Sequence, residues 1–156
     1  MRVVLLSIGN TKPPCLRDAE AVYIKRLRPT CRIEFRSVRG EALGRSMPPG
    51  PVLKKEAGRL MACIPDKGIS VVLDRRGVLW SSEELSRKIG EWQVRGVSAL
   101  TFIIGGPLGL DSSVLERADV VVSLSPMTFN HDMVKLILLE QLYRAFSILK
   151  GEQYHK

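Results

Sequence analysis

Short apolar runs alternate along this chain with stretches where apolar residues recur every three or four positions. Val3–Ile8 is a short, nearly continuous apolar run, the signature of a buried strand. After Pro13-Pro14, which suit a helix start, Leu16, Ala19, Val22, Tyr23 and Leu27 follow at helical spacing up to Pro29. Arg32–Val38 alternates basic and apolar residues, as a half-exposed strand does. Gly40–Pro51 reads as a loop, Val52–Cys63 as a helix stopped by Pro65, and Ile69–Leu73 as a buried strand before a turn at Asp74-Arg75-Arg76-Gly77. Ser81-Ser82-Glu83-Glu84 has the form of a helix cap with acids in the first turn, and that helix runs to about Arg95, with Gly96 closing it. Ser98–Ile104 is a strand, Asp111 caps a short helix to Ala118, Asp119–Leu124 is a strand, and a last helix covers His131–Leu149. Strict alternation of strand and helix predicts a single α/β domain, residues 1–156, with a mainly parallel sheet covered by helices on both faces.

The last helix carries two apolar stripes. Val134, Ile137, Leu138, Leu142, Ala145 and Leu149 form one, and Leu136, Leu139, Tyr143 and Phe146 the other. A single core contact needs only a face of about 100°. The second stripe therefore calls for a second surface, either a symmetric partner chain or more of the same subunit. Glu140, Arg144 and Ser147 line up on the polar remainder, and Glu140 with Arg144 has ion-pair spacing.

Charge adds a partner class. Residues 1–60 hold 13 Lys or Arg against 5 Asp or Glu, whereas residues 61–156 hold 11 of each, so the whole excess of +8 lies in the first 60 residues. Such an imbalance favours a polyanion such as nucleic acid. No apolar run approaches the ~20 residues of a membrane span, and the apolar opening is too short for an export signal. Three cysteines, Cys15, Cys31 and Cys63, without a Cys-x-x-Cys pair argue against disulfides and zinc, and read as buried reduced thiols in a cytoplasmic protein with no metal.

Candidate chemistry gathers where strands end. Ile103-Ile104 runs into Gly105-Gly106-Pro107-Leu108-Gly109, where glycines permit close backbone approach and positive φ. Ligands of open α/β sheets bind at the carboxyl ends of strands. Leu73-Asp74 and Ser123-Leu124 end two further strands. The second runs into Ser125-Pro126-Met127-Thr128-Phe129, whose methionine and aromatic ring suit an adenine and a thioether. No Gly-x-Gly-x-x-Gly or P-loop lysine is present. Of the two histidines, His131 stands at a helix start, where capping or packing is the ordinary role, and His155 stands in the tail.

Ile104–Leu110, Leu124–Phe129 with His131, Leu139–Ile148 and Gly151–His155, in this order, resemble the RlmH family. Ile8-Gly9 and Leu73–Gly77 agree more weakly. The resemblance implies a SPOUT-class α/β fold with a C-terminal trefoil knot, working as a homodimer. It implies S-adenosylmethionine-dependent methylation of N3 of a pseudouridine in large-subunit (23S) ribosomal RNA. It places the cofactor at Leu73, Gly105 and Leu124, Ser125, Pro126, Met127, Thr128 and Phe129, and catalysis at Tyr154, His155 and Arg144, with Glu140 nearby. His155 is then the candidate proton acceptor, Tyr154 a stacking partner for the base, and Arg144 the holder of a base anion or phosphate. Two departures stand out: Asn130, where relatives carry proline, and Gly40–Pro51, which lacks their lysines. RNA contacts then fall to residues such as Lys25, Arg26, Arg28, Arg32 and Arg36. A methyltransferase of another RNA such as tRNA, a nonenzymatic RNA- or ribosome-binding α/β protein and a flavodoxin-like nucleotide binder are the competing readings.

Overall fold

A computed structural model describes residues 1–42 and 48–152. Five strands and five helices alternate: β1 (Arg2–Ile8), α1 (Pro14–Leu27), β2 (Arg32–Val38), α2 (Pro49–Met61), β3 (Ile69–Leu79), α3 (Ser82–Val94), β4 (Ala99–Ile104), α4 (Ser112–Arg117), β5 (Val120–Ser123) and α5 (His131–Leu149). The strands form one sheet in the order β2-β1-β4-β3-β5, and every ladder is parallel. Parallel strands need crossover connections, so a helix follows each strand and both sheet faces are covered. Alternate residues of each strand feed different cores. Val3, Leu5, Val71, Leu100 and Phe102 pack under α1, α3 and α5, while Leu6, Ile8, Val72 and Ile103 pack under α2 and α4.

Local sequence accounts for most element ends. Ser81 and Glu84 form a reciprocal capping box: the Ser81 hydroxyl accepts from Glu84 N at 3.2 Å, and the Glu84 carboxylate accepts from Ser81 N at 2.7 Å. Asp111 caps α4 through Ser113 N at 3.0 Å. The cap of α5 is Asn130, whose side chain accepts from Asp132 N at 2.9 Å, so His131 does not cap.

Three expectations need correction. Helix α2 begins at Pro49 and not at Val52. Prolines in a first helical turn forfeit N–H groups that have no intrahelical partner anyway. Strand β3 does not stop at Leu73 but continues to Leu79, and Asp74–Gly77 is an interruption of its ladder with β5, whose register jumps between Leu73 and Val78. A Cβ at Gly77 would stand 2.6 Å from the backbone of Val121 and Val122, so only glycine lets the two strands approach here. Of the three cysteines only Cys31 is buried, its thiol pushed up to about 11 by loss of solvent, whereas Cys15 is exposed.

Residues of both stripes of α5 find cover inside the chain. Leu138, Leu142 and Ala145 and, from the second stripe, Leu139 and Phe146 are buried in one core. Helix α1 meets the second stripe where Tyr23 and Tyr143 pack with ring centroids 6.3 Å apart. Helix α3 flanks the other side, where Ser86 Oγ donates to the Ala145 carbonyl at 2.9 Å and a Cβ on Gly90 would meet Leu149. A three-helix layer within the subunit thus covers part of both stripes, while Leu149 stays exposed.

Candidate functional site

The exits of β3, β4 and β5 and the start of α5 enclose a cavity of about 770 Å³. Its wall includes Leu73 to Arg76, Ile104 to Leu110, Ser123 to Ser125 and Met127 to His131. Seven expected cofactor residues line it: Leu73, Gly105, Leu124, Ser125, Met127, Thr128 and Phe129. Pro126 belongs to the same loop but is not part of the wall. Arg144 lies ten residues beyond Val134, the last wall residue on α5. That is about 15 Å along the helix axis. Its Nη2 and Nε sit 2.6 and 3.1 Å from Glu140 Oε1, the ion pair expected from the spacing. Tyr154 and His155 lie outside the described residues.

Each wall segment has a local cause. Ser123 Oγ donates to the Ser125 carbonyl at 2.9 Å, and Ser125 Oγ accepts from Met127 N at 3.0 Å, so the β5 exit is folded by its own serines. After β4, Gly109 takes φ +82° and its N–H donates to the Gly106 carbonyl at 2.9 Å. A Cβ on Gly105 would stand 2.8 Å from the Gly109 carbonyl oxygen, and one on Gly106 would press on Ile8. These glycines are needed because the loop closes on itself and on β1, not for positive φ at Gly105 or Gly106. The cavity wall is mixed in character. Leu73, Ile104, Leu110, Leu124, Phe129 and Val134 are apolar, Met127 stands exposed at the mouth, and the strand ends contribute backbone polar groups. This donor set and volume fit a nucleoside bearing a thioether arm.

The charged wall residues are not equivalent. Asp74 accepts from Arg76 Nε at 2.8 Å, Nη2 at 3.0 Å and N at 2.9 Å. The guanidinium of Arg76 holds the Asp74 carboxyl below the usual carboxylate range. On α5, His131 Nε2 lies 3.5 Å from Asp132 Oδ1, a buried oxygen with no hydrogen-bond partner. Lys135 is 2% exposed, 3.8 Å from the same oxygen, and donates to the Gly9 carbonyl at the β1 exit at 3.1 Å. Burial lowers the Lys135 pKa, and Asp132 and Glu20 oppose the shift. Glu20 in turn accepts from Thr11 Oγ1 at 2.7 Å. Sequence reasoning missed this group because Lys135 sits among the apolar positions of α5, where only the fold shows which side chains are enclosed. Among the described residues no group of three His, Cys, Asp or Glu is placed to hold a metal.

The basic residues expected to meet RNA are not part of the cavity wall. Arg36 pairs with Glu34 at 2.8 Å, and Arg26 stacks over Tyr23 and Tyr143 at 5.6 Å from each ring centre. Lys25, Arg28 and Arg32 are exposed. Of the loop expected at Gly40–Pro51, Glu41 pairs with Arg59, and residues 43–47 lie outside the described set.

Residues 1–155 match the family model described as predicted SPOUT methyltransferase. The ribosomal RNA large subunit methyltransferase H of Symbiobacterium thermophilum is 45% identical over 161 positions, covering 100% of both chains. That of Carboxydothermus hydrogenoformans is 43% identical over 159 positions with the same coverage. Among solved structures, a probable methylase family protein from Haemophilus influenzae superposes with a TM-score of 0.57 at 12% identity, covering 99% of this chain and 70% of that one, a likeness of fold. The match spans the three strand exits, the cavity and the last helix alike, and the chain belongs to the SPOUT methyltransferase family.

Proposed function

We propose that this protein uses S-adenosylmethionine to methylate N3 of a pseudouridine in large-subunit ribosomal RNA. One observation carries the reading: three parallel strand ends and the 124–129 loop converge on a single cavity in a chain whose curated relatives are named for this RNA. Leu73, Gly105, Leu124, Ser125, Met127, Thr128 and Phe129 would hold the cofactor, with Pro126 stiffening the loop. When bound, the cofactor supplies a methyl group already activated by its sulfonium.

The protein's task is therefore alignment and proton removal. Apolar walls at Leu73, Leu124 and Phe129 exclude water around the reacting atoms. The target N3–H is a weak acid, and its proton must pass to a base as the nitrogen becomes nucleophilic. Tyr154, His155 and Arg144 form the set that faces the RNA: Tyr154 stacks on the base, Arg144 holds the base anion or a phosphate, and the family resemblance gives the proton to His155. Arg144 stands about 15 Å from the cavity wall along its own helix. Its part in the reaction thus favours a homodimer in which one chain's tail and last helix serve the other chain's cavity. The trefoil knot belongs to the same reading, as does a place for the protein at the ribosome in the cytoplasm. The basic excess of residues 1–60 supplies attraction to the RNA backbone.

Calorimetric titration with S-adenosylmethionine, then methylation of ribosomes lacking the modification with mass-spectrometric mapping, tests the proposal. One N3-methylated pseudouridine in large-subunit RNA is expected. Methyl groups appearing on tRNA would instead support the other RNA target, and absence of cofactor binding would leave only an RNA-binding protein.

A further inference from the structure

We propose that Lys135 is a positioning residue that locks two walls of the cavity together, the first turn of α5 and the loop after β4, by way of the end of β1. The inference rests on the cofactor reading of the cavity proposed above and names the group that fixes the cavity's shape. Lys135 is not itself part of the wall. It follows Val134 directly and stands one helical turn beyond His131, and both of those line the cavity. From this place its ammonium donates to the Gly9 carbonyl at 3.1 Å, across a separation of 126 residues in sequence. The same carbonyl accepts from Ser7 Oγ at 2.9 Å, and Gly9 N donates to the Val38 carbonyl at 2.9 Å, so the anchor belongs firmly to the sheet.

The residue before the anchor supports the second wall. Ile8 is buried, and a Cβ built on Gly106 would stand 3.2 Å from its Cγ2, so the loop after β4 rests directly on it. That loop is closed by Gly109 N donating to the Gly106 carbonyl at 2.9 Å. Beyond the anchor, buried Thr11 donates to the buried Glu20 carboxylate at 2.7 Å, which ties the chain after Gly9 to α1. The end of β1 is thus held by β2 and α1 and carries the β4 loop, and Lys135 is the side chain through which α5 joins it.

The choice of lysine supports a positioning role. Enclosing an ammonium costs free energy that an apolar side chain of similar volume does not. Asp132 Oδ1, at 3.8 Å, compensates the charge. What the ammonium adds over an apolar side chain is direction, because apolar packing is non-directional whereas a hydrogen bond weakens steeply away from its preferred distance and angle. A ligand site needs its walls held to within about 0.5 Å. Walls fixed before the ligand arrives lower the ordering cost of binding.

Three proteins test this: the wild type, Asp132→Leu, and the double variant Lys135→Met with Asp132→Leu. The single variant keeps the tie to Gly9 but strands the ammonium. The double variant removes the ammonium together with the carboxylate that compensates it, so it should be the more stable of the two. Two quantities are measured at a temperature where circular dichroism shows each variant folded. One is calorimetric affinity for S-adenosylmethionine, and the other is hydrogen exchange of the Gly109 amide without cofactor. The double variant should bind about tenfold or more weakly, the worth of one charge-assisted hydrogen bond that binding must replace, and its Gly109 amide should exchange faster. The single variant should match the wild type in both. Affinity that follows stability and is weakest in the single variant overturns the proposal, and so does a double variant that binds as tightly as the wild type. Should the double variant not fold, the single one still decides, because weak binding or fast Gly109 exchange with the lysine in place overturns the tie. A wild type that binds no S-adenosylmethionine overturns the parent reading instead, and Gly109 exchange then decides by itself whether Lys135 holds the walls.

Discussion

The two flanks of the sheet are built differently. On one side β1 and β2 pair without interruption from Arg2↔Arg32 to Ile8↔Val38. On the other, β3 and β5 pair only in pieces, with a break between Leu73 and Val78. The regular flank carries surface charge: Arg2 and Arg36 face Glu34, and Arg32 is exposed. The broken flank carries the cavity. An unbroken ladder satisfies every backbone group and leaves nothing for a ligand, whereas an interruption re-aims side chains and frees strand ends beside a site. Lys135 joins the two, because it starts from the helix that walls the cavity and bonds the last carbonyl turn of the regular flank at Gly9.

Breaking that tie should have the largest effect. Lys135→Met leaves Asp132 as an uncompensated buried charge, and a loss of about 3–5 kcal/mol in denaturant-derived stability is expected. The double variant Lys135→Met with Asp132→Leu should recover most of it, because the stranded charge is gone. Next comes the break itself. Gly77→Ala forces a Cβ into the backbone of Val121 and Val122. Overpacking of this kind costs about 1–3 kcal/mol. Cofactor affinity by calorimetry should fall with it, since β3 and β5 both line the cavity, while an Ala substitution at Gly50, with nothing near its Cβ, should leave affinity intact.

Charge on the regular flank should act on RNA alone. Arg32→Ala is expected to change stability by less than about 0.5 kcal/mol. If Arg32 contacts a phosphate, RNA affinity should weaken similarly for all sequences and the slope of log affinity against log salt should drop by about one. Cofactor binding should not move.

The smallest effect concerns pH. The folded Asp74 pKa is depressed by Arg76, so this carboxylate contributes stability that is present above its unfolded pKa of about 3.9 and is lost as pH falls through the lower folded value. Asp74→Asn should therefore flatten melting temperature against pH below about 4 and change little at pH 7 beyond the loss of the pair itself. An unchanged acid profile would show that the pair contributes nothing to folding.

Much of this was legible in the residues, and the exceptions have causes. All ten elements follow from apolar spacing and from caps such as Ser81 and Asp111, because these are local. Asp74–Gly77 has the composition of a turn, and its strand character depends on Val121 and Val122, more than forty residues away. Pro49–Pro51 has the composition of a loop and forms a first helical turn. The double stripe of Leu138 and Leu139 is equally consistent with a dimer face and with a buried layer, and only the positions of α1 and α3 show that these two side chains are enclosed within the chain.

By itself, then, the chain determined which segments are strands and helices, that the sheet is parallel, and that polar or glycine-rich exits follow Leu73, Ile104 and Ser123, which line one cavity. These rest on period, on crossover length and on where parallel strands end, all properties of neighbouring residues. The tertiary structure alone decided the strand order, the break that opens the cavity beside β3, the distance that separates Arg144 from it, and the burial of Lys135 against Asp132 and Gly9. Each of those depends on groups far apart in the chain that meet only when the sheet has formed, and no local pattern records such a meeting.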